Sequence, residues 1–103
     1  MNIEVKDKIS QLVILCEKYR VATMYLFGSA TTDAFNEHSD VDFLISIHSN
    51  VTLEEYADNY FDLMFEMEDL FGRKVDLVAE NTLSNPYFIQ SVEQTKQLIY
   101  ATY

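Results

Sequence analysis

The chain has 103 residues, 49% of them hydrophobic and 14% aromatic, with 7 Lys plus Arg against 17 Asp plus Glu and a net charge of −10. That length fits one small domain, residues 1–103, and the hydrophobic share is too high for a chain that stays disordered. One Cys and two His exclude an internal disulfide and a typical structural zinc site, two Gly are too few for a GxGxxG dinucleotide loop, and the acidity argues against direct contact with nucleic acid.

No apolar run approaches the roughly 18 residues of a membrane-spanning helix. The opening Met1-Asn2-Ile3-Glu4-Val5-Lys6-Asp7 has mixed charge and no signal-peptide pattern, so a cytoplasmic protein is expected, without a membrane. Apolar residues at Val5, Ile9, Leu12, Val13, Cys16 and Tyr19 recur at helical spacing and predict one helix over 5–19. Cys16 lies on that stripe and reads as a core residue rather than a nucleophile. Val21-Ala22-Thr23-Met24-Tyr25-Leu26-Phe27 is a β-prone apolar run stopped by Gly28, which predicts a buried strand. A polar stretch over 29–39, with room for one helical turn, leads into an alternating strand over 40–47. There Val41, Phe43, Ile45 and Ile47 share one face, and Asp40, Asp42, Leu44 and Ser46 share the other.

Thr52-Leu53-Glu54-Glu55 has the form of a capping box, in which hydroxyl and carboxylate satisfy the first free N–H groups of a helix. The helix it opens carries Tyr56, Tyr60, Leu63, Met64, Met67, Leu70 and Phe71 on one stripe, and Gly72 is placed to end it in a left-handed turn. Over 74–79, Val75 and Leu77 alternate with Asp76 in a third strand. Asn85-Pro86 reads as the N-cap and first residue of a last helix, expected to carry Phe88, Ile89, Val92, Leu98 and Ile99, with Tyr100 and Tyr103 closing it on the core. This order implies an α/β (α+β) domain with a small mixed sheet of about three or more strands packed with helices. The link between the first two strands is short for a crossover helix, which favours an antiparallel pair there.

Three features carry chemistry. Gly28-Ser29 ends a strand, where a glycine lets backbone N–H groups approach a phosphate and a serine hydroxyl adds a hydrogen bond. Asp40-Val41-Asp42 aims two carboxylates to one side of a strand, a like-charge arrangement that Mg²⁺ would relieve; solvated carboxylates on an exposed edge are the alternative. Asp76 would complete a carboxylate cluster if the third strand lies beside the second.

Gly28-Ser29, ten residues, then Asp40-x-Asp42 and a later strand Asp76 together resemble the signature of the polymerase-β-type nucleotidyltransferases. The order of elements is similar to that of their minimal members, the MNT-type antitoxins paired with HEPN-type RNase toxins. The resemblance spans nearly the whole chain. It implies that Gly28 and Ser29 hold the phosphates of ATP, and that Asp40, Asp42 and Asp76 are catalytic and bind two Mg²⁺ ions, with Asp76 helping to deprotonate the attacking hydroxyl. It implies transfer of AMP to a hydroxyl, with a Tyr of a cognate HEPN toxin as the acceptor, and hence an antitoxin. An antitoxin of the same fold that masks a basic toxin by binding alone is the alternative. One departure stands out: many family members carry an Arg or a Gly-rich segment just after the Gly-Ser pair, whereas 30–38 here holds no Arg or Lys. Arg73, Lys74 or a partner residue would then have to meet the triphosphate.

Overall fold

The computed structural model describes residues 3–32, 36 and 38–102. The stretch at 33–35, Glu37 and Tyr103, with its expected contact on the core, lie outside the described residues. Along the chain come α1 (Ile3–Lys6), α2 (Ile9–Lys18), β1 (Val21–Phe27), a 3₁₀ turn (Gly28–Thr31) and β2 (Val41–Ile47). They are followed by α3 (Leu53–Phe71), β3 (Val75–Ala79), a second 3₁₀ turn (Glu80–Thr82), α4 (Pro86–Thr95) and β4 (Gln97–Ala101).

The four strands form one mixed sheet in the order β3-β2-β1-β4. β1 runs antiparallel to both β2 and β4, and β2 runs parallel to β3 with α3 making the connection, as the short first link and the long helix require. Strand alternation divides the packing. Val41, Phe43 and Ile45 of β2 enter the main core, which also takes Val5, Leu12 and Cys16 from α1 and α2 and Leu63 and Met67 from α3. On the opposite face Leu44 joins Phe27 and Val92 in a smaller cluster under α4. Cys16 is fully buried, its thiol pushed up to about 12 by burial first and by Glu17 second, which makes it a core residue and a poor nucleophile.

Two elements differ from the sequence reading. The first helix is broken at Asp7-Lys8, where Lys8 N–H donates to Val5 O at 3.0 Å, a tightened turn that no Gly or Pro announces. The last helix stops at Thr95, and Leu98 and Ile99 belong instead to β4, where Leu98 pairs with Tyr25 and Tyr100 with Met24. Lys96 ends α4 in an extended conformation (φ −61°, ψ 141°), so the exit needs no glycine.

The α3 start follows the capping box: Glu55 N–H donates to Thr52 Oγ1 at 3.1 Å, and Thr52 N–H to Glu55 Oε2 at 3.4 Å. Thr52→Ala is expected to lower stability by about 1 kcal/mol, measured by urea denaturation, without moving any site residue. β3 is an edge strand, and side chains cover its outer backbone groups. Val75 N–H donates to Glu68 Oε2 at 3.2 Å, Tyr60 donates its phenol proton to Leu77 O, and Thr82 donates to Ala79 O at 2.7 Å. Capping of this kind blunts an edge that would otherwise recruit another strand.

Candidate active site

The register across the sheet builds the site. Phe27, the last residue of β1, pairs with Asp42 on β2, and Asp42 pairs with Asp76 on β3. Both carboxylates sit second in their strands, at one end of the sheet, and β1 turns into Gly28 at that same end. The condition for Asp76 to join the cluster, a third strand beside the second, is therefore met.

Gly28 has φ +75° and lies against Asp42: a Cβ built on it would stand 2.4 Å from Asp42 Oδ2. Only glycine permits both the backbone angle and this approach. The turn that follows is held by Thr31 Oγ1 donating to Gly28 O at 2.7 Å and by Thr32 N–H donating to Ser29 O at 3.0 Å. α4 secures it from outside, with Phe88 edge-on to Phe27 at 5.9 Å between ring centroids. Asn85 caps α4 as read from the sequence, its side-chain oxygen accepting from Tyr87 N–H at 2.9 Å and Phe88 N–H at 3.3 Å.

Asp40 and Asp76 are exposed and Asp42 is half-buried. The Asp42 carboxyl is pushed up to about 6 from the usual 3.8, by burial first, then by the negative charges of Asp76 and Asp40. Tyr60 feels the same field: burial, then Asp76 and Tyr56, raise its phenol above the ordinary value. Tyr60 is the neighbour of this site that sequence reasoning missed. It sat on an apolar stripe, where nothing distinguishes a core tyrosine from one whose hydroxyl reaches the edge of β3.

Among the described residues no three His, Cys, Asp or Glu side chains stand ready to enclose a metal ion. The acids form an open face. Hard oxygen donors on an open face that carries unrelieved like charge fit Mg²⁺, which binds through one or two carboxylates and keeps its remaining positions for water and phosphate oxygens. Of the basic residues considered for the triphosphate, Arg73 is engaged elsewhere: its guanidinium donates to Asn36 O at 2.8 Å, Ser39 O at 3.0 Å and Glu4 Oε2 at 3.1 Å. It braces the segment that leads into Asp40.

One end of the mixed sheet thus carries a glycine turn and strand-borne acids. The family model for polymerase β nucleotidyltransferases matches residues 9–102, and the chain belongs to that family. It is 37% identical over 98 residues to a "Putative protein adenylyltransferase" of Methanocaldococcus jannaschii, covering 94% of each chain. It superposes on the solved structure of a "putative minimal nucleotidyltransferase" with a TM-score of 0.69 and 26% identity, covering 94% of this chain and 95% of that one. It also shares its fold with a chain from the complex of the tri-AMPylated Shewanella oneidensis HEPN toxin with its MNT antitoxin, at a TM-score of 0.65 and 18% identity over 94% of this chain and 72% of that one. The chain is thus a nucleotidyltransferase of the minimal type. No helix among its described residues is long and apolar enough to cross a membrane.

Proposed function

We propose that the chain transfers AMP from ATP to a hydroxyl of a partner protein in a Mg²⁺-dependent reaction. We further propose that the acceptor is a tyrosine of a HEPN-type toxin, which makes the chain an antitoxin. The observation that carries the reading is the row from Gly28 through Asp42 to Asp76, which joins a phosphate-accommodating turn to two facing carboxylates.

The roles follow from chemistry. Gly28, with no Cβ, lets Asp42 close on the turn, where backbone N–H groups and the Ser29 hydroxyl donate to the phosphate oxygens. Asp40, Asp42 and Asp76 hold the divalent cations, which when bound neutralise the phosphates and the acids together. Asp76, exposed at the edge of the sheet, accepts the proton of the attacking hydroxyl. The acceptor oxygen bonds to the α-phosphorus as the bond to the β-phosphate breaks, and the electron pair leaves on pyrophosphate. A net charge of −10 favours encounter with a cationic partner, and the likeness to protein adenylyltransferases and to an MNT antitoxin supports a protein acceptor.

The test uses ATP labelled at the α-phosphate, Mg²⁺ and the protein that co-purifies with this chain from its native host. Label is expected on an acceptor tyrosine, and its transfer is lost with EDTA or in Asp76→Asn. An unlabelled acceptor that both wild type and Asp76→Asn still bind and neutralise would overturn the transfer reading in favour of inhibition by binding.

A further inference from the structure

We propose that Lys74 is the side chain that grips the β- and γ-phosphates of the nucleotide, an assignment that rests on the nucleotidyl-transfer reading and completes it. The backbone places Lys74 immediately before β3. Val41 N–H donates to Lys74 O at 3.2 Å, so the parallel ladder between β2 and β3 already begins at Lys74. Its neighbours on either side face the helices: Arg73 reaches Glu4 of α1 at 3.1 Å, and Val75 is buried in the main core with Val5. Alternation sends Lys74 and Asp76 to the other face, the one that carries Asp42. With Val41 opposite Val75 and Asp42 opposite Asp76, Lys74 and Asp40 are the residues that immediately precede the two paired strands at that end.

Lys74 is exposed, and its ammonium has no hydrogen bond or ion pair among the described residues. The other cations near the site are committed. Arg73 holds two carbonyls and Glu4, and Lys96 pairs with Glu93 at 2.9 Å beneath the ring of Tyr25. A site whose protein charges are three carboxylates must still attract a highly charged triphosphate. An unpaired ammonium at the open end of the acid row meets that need where 30–32 and 38 supply neither Lys nor Arg. During transfer the ammonium donates hydrogen bonds to oxygens of the departing pyrophosphate and keeps its own proton, while the α-phosphorus exchanges the pyrophosphate oxygen for that of the acceptor.

Titration calorimetry with ATP and with AMP, each with Mg²⁺, tests the assignment on wild type, Lys74→Ala, Lys74→Arg and Lys6→Ala. Lys74→Ala is expected to weaken ATP binding about tenfold, the scale of one charge-assisted hydrogen bond, and to leave AMP within about twofold. Lys74→Arg restores most of the ATP affinity. Lys6→Ala, an equal change in net charge on α1, leaves it unaltered, and melting curves confirm that each variant is folded. Unchanged ATP affinity in Lys74→Ala, equal weakening of ATP and AMP, or equal weakening by Lys6→Ala overturns the assignment. Wild type that binds no ATP in the presence of Mg²⁺ overturns instead the transfer reading on which it rests.

Discussion

Asp42→Asn is expected to slow AMP transfer by more than about 100-fold while making the metal-free protein more stable at pH 7. The activity side follows from position. Asp42 touches the glycine turn on one side and faces Asp76 on the other, so a cation held there meets both the phosphates and the second acid. Loss of an outer partner of a metal ligand typically costs 10–100-fold, and removal of a direct carboxylate ligand should exceed that.

The stability side follows from the raised carboxyl. Asp42 titrates at about 6 in the folded chain against the usual 3.8. The folded state therefore holds this proton more tightly than the unfolded chain does. The stability this gives is fully present below about pH 4 and is lost as pH rises through about 6. Two pH units correspond to roughly 3 kcal/mol, which solvent screening at a half-buried group reduces to about 1–2 kcal/mol. Asparagine resembles the protonated acid, so wild type and Asp42→Asn should unfold alike near pH 4 in EDTA. The variant should be the more stable by about 1–2 kcal/mol above pH 6. Saturating Mg²⁺ should then stabilise wild type and not the variant, closing the gap. Urea denaturation across this pH range reads the difference, and a wild type more stable than the variant at pH 7 in EDTA would contradict the like-charge account.

The same local chemistry explains what could be read from the sequence. Asp40 and Asp42 were visible because strands rarely carry acids at alternate positions, and Gly28 because it stops an apolar run. The capping box at Thr52 and the left-handed Gly72 (φ +64°) mark both ends of α3 by side-chain and backbone chemistry that needs no tertiary context. β4 was hidden for a physical reason. Val92 and Ile99 are seven residues apart, which continues a helical stripe, and Lys96 leaves α4 in an extended conformation that any residue can adopt. Only pairing with β1 turns Gln97–Ala101 into a strand, and pairing is a long-range fact. The contrast between Arg73 and Lys74 was equally invisible. Two adjacent cations look alike until the fold ties Arg73 to Glu4 and leaves Lys74 exposed, two residues before Asp76.

Gly28→Ala is expected to lower the transfer rate by about 100-fold, far more than its effect on the fold would suggest. The added methyl would lie 2.4 Å from Asp42 Oδ2, closer than real contacts allow, and 3.2 Å from its carboxyl carbon, a tight contact, so one partner must move. The carboxylate is the freer end and should swing aside, which leaves the sheet intact and takes Asp42 away from Asp76. A misplacement of about 1 Å at a reacting centre can cost about 100-fold. The fold itself loses about 1–2 kcal/mol, because alanine is strained at φ +75°. Gly72→Ala separates the two effects. Gly72 has φ +64° and nothing within 4 Å of its added Cβ, so it carries the same backbone strain without the clash. Both variants should melt about 5–15 °C below wild type. Only Gly28→Ala should lose transfer when both are assayed well below their melting temperatures. If the two variants lose activity equally, Gly28 is a turn residue and not the floor of the phosphate site.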